Sequence, residues 1–177
     1  MSKRLQIKSV LNDDYFGKTI IVYGWVKTFR SNRFINLNDG SCLNDLQCVV
    51  DYEKLEESKL SKINTGACLK VEGKIVKSQG RGQNVELIVN SIDILGESDP
   101  ENFPIQPKKH SFEFLRENAH LRVRTKTLSS VFRIRSELSY AIHDFFNKNN
   151  FYYIHTPIIT GSDAEGAGEM FRVTTLD

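Results

Sequence analysis

Phe34, Gln47 and Glu86 lie on strand-like segments, and their side chains could do chemistry together. Lys27, Arg30 and Arg33 fall close to the first of them. An exposed aromatic ring among cations suits an unpaired RNA strand, because a base stacks on the ring while cations hold phosphates. A glutamine offers a base edge both a donor and an acceptor, and a carboxylate accepts from an amine or imino proton. The pattern alone favours another reading for Phe34, as a core residue of its strand, and the same holds for Trp25.

A second group lies near the end of the sequence, where Asp163, Glu165 and Glu169 flank Gly166 and Gly168. Acids beside glycines suit a loop that closes over a cationic group, although an ordinary solvated loop has the same composition. His110, His120, His143 and His155 are scattered, and no Ser-His-Asp or Cys-His spacing is legible. No catalytic residue is therefore assigned. Cys42, Cys48 and Cys68 form no CxxC pair, so no metal site is expected and the thiols are read as reduced, in a cytoplasmic protein.

These side chains need a scaffold. Residues 18–95 alternate apolar and polar in the manner of strands. The expected strands are Thr19 to Val26, Arg33 to Asn38, Leu46 to Val50, Ala67 to Val76 and Val85 to Leu95. Asp39-Gly40 is a hairpin signal between the second and third. Residues 52–63 are charged with sparse leucines and read as a short surface helix. Three strands, a helix and two strands make the pattern of an all-β OB-fold barrel, which binds oligonucleotides on one face. Gly24 and Gly73 fall inside strands and suit bulges or tight corners.

Pro100, Pro104 and Pro107 then interrupt any regular structure, so residues 99–112 read as a linker between domains 1–98 and 113–177. Beyond it, Leu128, Val131, Phe132, Leu138, Ala141, Ile142, Phe145 and Phe146 recur at helical spacing. They predict a helix from Leu128 to Lys148, about 30 Å long, with Asn149-Asn150 as its stop. Its apolar stripe needs a partner.

The chain is 40% hydrophobic and 26% charged, as a soluble globular protein requires. It holds no 18-residue apolar run and begins without an apolar leader, so neither a membrane span nor a secretory signal is expected. The net charge of +2 hides an asymmetry. Lys108, Lys109, Arg116, Arg122, Arg124, Lys126, Arg133 and Arg135 face only Glu113 and Glu117 over that interval. Such a run is either a solvated face or a surface for a polyanion.

The stretch from His120 to Thr125, the helix with Arg133 and Arg135, and the run from Phe151 to Pro157 resemble motif 1 of the class II aminoacyl-tRNA synthetases. A barrel ahead of motif 1 resembles the aspartate, asparagine and lysine subgroup. The segment SDAEGAGEMFRVTTLD is similar to its asparagine-specific members. The resemblance implies an OB barrel followed by a truncated α+β class II catalytic domain. It implies that Phe34 stacks on the central anticodon base, that Gln47 and Glu86 read anticodon bases and that Arg30 touches the same loop. It also implies that Glu165 greets the ammonium group of the amino acid, that Phe151 to Ile159 form a strand centred on Pro157, and that Pro157 and the long helix with Phe145 and Phe146 form a homodimer interface.

The implied partners are asparagine, ATP with Mg2+, and tRNA(Asn), for a ligase that activates asparagine and attaches it to that tRNA. An aspartate-specific or non-discriminating enzyme, or a freestanding OB-fold RNA-binding module, are the alternatives. The family's motif 2 and motif 3 arginines have no counterpart in this sequence. The 177-residue chain alone is therefore expected to show no asparagine-dependent ATP–pyrophosphate exchange. Exchange above background by the purified chain would contradict this.

Overall fold

The computed structural model describes residues 4–11, 15–51, 56–80, 82–161, 166, 171 and 173–175. Glu165 lies outside the described residues. The chain forms two compact units, Met1–Ile134 and Arg135–Asp177.

The first unit is built on alternation. Strands β1 (Thr19–Arg30), β2 (Phe34–Asn38), β3 (Leu46–Val49), β4 (Cys68–Lys77) and β5 (Val85–Gly96) close into a barrel in the order β1-β2-β3-β5-β4. Period-2 side chains put Val22, Val26, Ile35, Leu37, Leu46, Cys48, Leu69, Val71, Ile75 and Leu87 inside, all essentially free of water. All pairings are antiparallel except β3 with β5, which run parallel at Cys48↔Leu87 and Val49↔Ile88. That parallel contact closes the barrel. Burial pushes the Cys48 thiol up to about 12, so it behaves as a small apolar core residue.

Two glycines let strands approach. A Cβ at Gly73 would stand 2.2 Å from the Ile88 carbonyl oxygen, at a register shift between Glu72 and Gly73. A Cβ at Gly24 would stand 2.9 Å from the Asn38 carbonyl oxygen. The expected corners are thus close backbone crossings, and one of them is a bulge.

Short helices plug and brace the barrel. Helix α1 (Ile7–Val10) buries Ile7 and Val10 in the same core. Within the expected helix 52–63, the described helix α2 (Glu57–Leu60) is a single turn. Its purpose is to deliver Leu60 and then Ile63 to the core. Asp39-Gly40 does not make a tight hairpin. The Asn38 side chain instead organises a longer β2–β3 loop, donating to the carbonyls of Cys42 (3.3 Å) and Asn44 (3.2 Å) and to Asp45 (2.9 Å). The tight turn comes earlier. Ser31 and Asn32 both take positive φ (54° and 49°), and Arg33 N–H bonds the Arg30 carbonyl at 3.0 Å. That mirror-type turn matches the twist of the flanking strands.

Residues 99–111 hold neither helix nor strand, yet Ile105 is buried. Helix α3 (Phe112–Glu117) follows, its N-terminus capped by Ser111 accepting from Phe114 N–H. A 3-10 turn at Arg122–Arg124 leads into α4 (Lys126–Lys148). Sequence periodicity did not reveal α3 or the 3-10 turn, because each is shorter than two helical turns.

The second unit carries the last part of α4, which ends where expected. Asn150 takes φ 65° and Phe151 N–H closes on the Phe146 carbonyl at 3.0 Å. Phe146 meets Phe151 edge-on, and His143 meets Tyr153 the same way. The strand expected from Phe151 to Ile159 is not formed. A strand exists only through a ladder partner, and the described residues of this unit offer none.

Gly73→Ala is expected to cost about 3 kcal/mol or more, because the methyl meets backbone rather than a movable side chain. Urea unfolding of the variant reads this directly.

Candidate nucleic-acid interface

The outward faces of β2, β3 and β5 bring the expected residues together. Phe34, Asn36 and Asn38 point out from β2 while Ile35 and Leu37 point in. Phe34 is therefore no core residue, and the expectation of burial fails because its register parity is outward. Strand pairing extends this into rows. One row runs Arg30↔Phe34↔Val49↔Ile88↔Lys74, apolar in the middle and cationic at both ends. The next runs Thr28↔Asn36↔Gln47, and Gln47 reaches Glu86 by a hydrogen bond of 3.1 Å.

Glu86 is the hub of the polar row. It is 9% exposed, yet three donors converge on its Oε1: Gln47 Nε2 at 3.1 Å, Ser78 Oγ at 2.6 Å and Gln83 Nε2 at 2.7 Å. Among the described residues none donates to Oε2. A buried carboxylate survives only with such partners. The arrangement holds one oxygen rigid and leaves the other for an external donor.

Together these residues line a cleft of about 660 Å³, with Arg30, Arg33, Phe34, Gln47, Glu86 and Ile88 on its walls. The Arg33 guanidinium lies 5.7 Å from the Phe34 ring centroid. The tight Ser31-Asn32 turn fixes both arginines beside the ring. The cleft can thus seat a flat aromatic ligand against Phe34, Val49 and Ile88, offer it a donor and acceptors from Gln47 and Glu86, and hold an attached anion with Arg30, Arg33 and Lys77. All four residues expected from the barrel, Arg30, Phe34, Gln47 and Glu86, meet here.

Sequence reasoning missed Val49, Ile88, Ser78 and Gln83. The first two were within reach, since each lies two residues from a named one on an outward face. The last two sit at loop positions whose approach to Glu86 only the folded chain defines.

A second cleft of about 1000 Å³ adjoins, lined by Trp25, Lys27, Thr28, Asn36, Gln83, Phe103 and Arg124 among others. Trp25 is 38% exposed rather than core, because its position in β1 faces outward. The Arg124 guanidinium covers its ring at 4.7 Å and also lies 5.9 Å from Phe103. Lys27 donates to the Arg124 carbonyl, and burial, opposed by Asp45, holds its ammonium below the usual lysine range. Arg133 donates to the carbonyls of Gly40 and Ser41. The basic run is thus partly structural.

Two family models match this chain. One describes the OB-fold nucleic acid binding domain and covers residues 20–95; the other describes tRNA synthetases class II (D, K and N) and covers residues 111–176. The second match ties residues 111–176 of this chain to the class II tRNA synthetases. A relative from Parabacteroides distasonis, an asparagine–tRNA ligase, is 54% identical over 98% of this chain and 38% of its own length. Another asparagine–tRNA ligase, from Cytophaga hutchinsonii, is 50% identical over 99% of this chain and 39% of its own length. The chain therefore spans under two-fifths of the relatives it matches. Among solved structures, asparaginyl-tRNA synthetase from Pyrococcus horikoshii complexed with asparaginyl-adenylate matches at TM-score 0.84, with 22% identity, over 99% of this chain and 41% of that one. At that identity the match speaks for the synthetase fold, barrel included. No helix among the described residues is long and apolar enough to cross a membrane.

Arg124→Ala is expected to lower stability by about 1 kcal/mol through loss of its contacts with Trp25 and Phe103. The Trp25 fluorescence on denaturant unfolding gives both the transition and the local environment, since this is the only tryptophan.

Proposed function

We propose that this chain is the anticodon-binding part of an asparagine–tRNA ligase, together with the motif 1 region of its catalytic domain. The single observation that carries the reading is the Phe34–Gln47–Glu86 cleft with its flanking arginines. The relatives named asparagine–tRNA ligase, near 50% identity along almost the whole chain, supply the amino acid and the tRNA. In the whole enzyme the asparagine carboxylate would attack the α-phosphorus of ATP, forming an asparaginyl adenylate and releasing pyrophosphate, and a hydroxyl of the terminal adenosine of tRNA(Asn) would then take the asparaginyl group and release AMP.

Each barrel residue has a role in this reading. A base of the anticodon, its central uridine above all, stacks on Phe34. Gln47 and the open oxygen of Glu86 meet its edge or that of a neighbour. Arg30 and Arg33 neutralise phosphates of the loop. Because Glu86 is held by three donors on one side, it need not reorganise when a base arrives, which lowers the entropic cost of recognition.

The remaining roles fall beyond the barrel. The proposed domains are 1–98 and 113–177, with 99–112 between them. Glu165 is proposed to close over the ammonium group of asparagine. The exposed apolar face of α4, including Phe145 (63%) and Phe146 (47%), with Pro157 beyond it, is proposed as a homodimer surface. A solvated Phe of this kind gains about 1.5–3 kcal/mol on full burial, which a second copy would supply. ATP and Mg2+ belong to the proposed reaction of the whole enzyme, where magnesium neutralises phosphate charge. No three His, Cys, Asp or Glu side chains among the described residues gather to hold a metal ion.

Phe34→Ala is expected to weaken binding of a tRNA(Asn) anticodon stem-loop by about 1–3 kcal/mol. Titration of the labelled RNA into the 177-residue chain measures it. Unchanged affinity in a variant with a normal unfolding transition would remove the barrel cleft from RNA recognition.

A further inference from the structure

Asn36 stands on β2 between Phe34 and Asn38, half-buried and facing out. Its neighbours on that face have all committed their amides. Asn38 uses its amide nitrogen on Cys42, Asn44 and Asp45, and its oxygen accepts from Gly40 N–H at 2.8 Å. Gln47, the cross-strand partner of Asn36, donates to Glu86. The Asn36 side chain has no hydrogen-bond partner among the described residues. On its other side the cross-strand partner is Thr28, whose buried hydroxyl is also unpartnered. Among the described residues the Thr28 hydroxyl forgoes water for no return, and beside it the half-buried Asn36 amide keeps its donors and acceptor uncommitted.

Their position suggests what completes them. Asn36 and Thr28 line the larger cleft, and Gln47 and Glu86 line the smaller one. Gln83 lines the larger cleft and bonds Glu86 in the smaller, so the two adjoin at that hydrogen bond. Lys108, Lys109 and Lys126 on the walls of the larger cleft suit the phosphates of a strand that continues into it. An asparagine amide presents one acceptor and two donors in a plane, the geometry that reads a base edge.

We infer that Asn36 is a further base-reading residue, taking the nucleotide next to the one seated on Phe34, as the unpaired RNA loop passes from the smaller cleft into the larger. Thr28 lies beside it as a second polar contact or a support for the amide. This inference rests on the proposed anticodon reading and extends it by one nucleotide.

The test uses the 177-residue chain and tRNA(Asn) anticodon stem-loops in which each loop nucleotide is changed in turn. Asn36→Ala and Asn36→Thr both remove the amide, and the threonine keeps a strong strand former at the site. Both variants are expected to bind the unchanged loop about three- to tenfold more weakly. They are also expected to lose discrimination at one nucleotide flanking the Phe34 base while keeping it elsewhere. Uniform weakening for every loop, with discrimination intact, overturns the inference by making Asn36 structural. Unchanged binding in both variants, alongside weakening by Phe34→Ala, overturns the inference and leaves the anticodon reading standing. No binding by the unaltered chain overturns that reading and this inference with it.

Discussion

Closing the barrel depends on one short parallel contact, in which Cys48 and Val49 of β3 meet Leu87 and Ile88 of β5. The two strands are nearly forty residues apart, and everything between them must fold back before they touch. The contact does two things at once. It buries Cys48 and Leu87 on the inner face, and on the outer face it lays Val49 beside Ile88 and brings Gln47 to Glu86. Because successive side chains alternate across a strand, a slip of one residue would exchange the two sets. The apolar core therefore fixes the register, and the register fixes the cleft.

A polar group near the core needs its own justification, and the barrel shows two solutions. Glu86 is satisfied by three neutral donors that approach from β3 and from the β4–β5 loop. Asp39 is satisfied by backbone and side-chain donors, from Ile7 N–H at 3.0 Å, Ser41 N–H at 2.9 Å and the Ser41 hydroxyl. Burial works against the Asp39 charge, yet these hydrogen bonds prevail and hold its carboxyl below the usual carboxylate range. Asp39 thereby ties helix α1 to the β2–β3 loop, and Arg133 ties the first turns of α4 to the same loop. The turn read as a hairpin signal is a junction of three elements.

The face of α4 is the opposite case. None of its residues is buried, although its sequence carries a regular apolar stripe. Such a face costs nothing in an unfolded chain but forgoes most of its hydrophobic stabilisation in the folded one. Helical hydrogen bonds are internal, so α4 forms without a partner, whereas the run from Phe151 to Ile159 cannot become a strand without a ladder. This difference explains why the helix matches its sequence signal and the strand does not.

The barrel strands, the lack of regular structure over residues 99–111 and the extent of α4 were legible from period-2 and period-3.6 patterns and from proline placement, each a local property of the chain. So were the residue types of the cleft, because Phe34, Gln47 and Glu86 lie on segments whose alternation marks them as strands. The sequence could not decide which way Phe34 and Trp25 face. Both are apolar residues in apolar segments, and only the paired register turns them outward. Nor could it show that Ser78 and Gln83 reach Glu86, or that among the described residues Asn36 has no hydrogen-bond partner where Asn38 has four. Local periodicity sets which strands form. Barrel closure sets which of their side chains share a face, because neighbours on that face come from segments that meet only when the sheet joins its own edge.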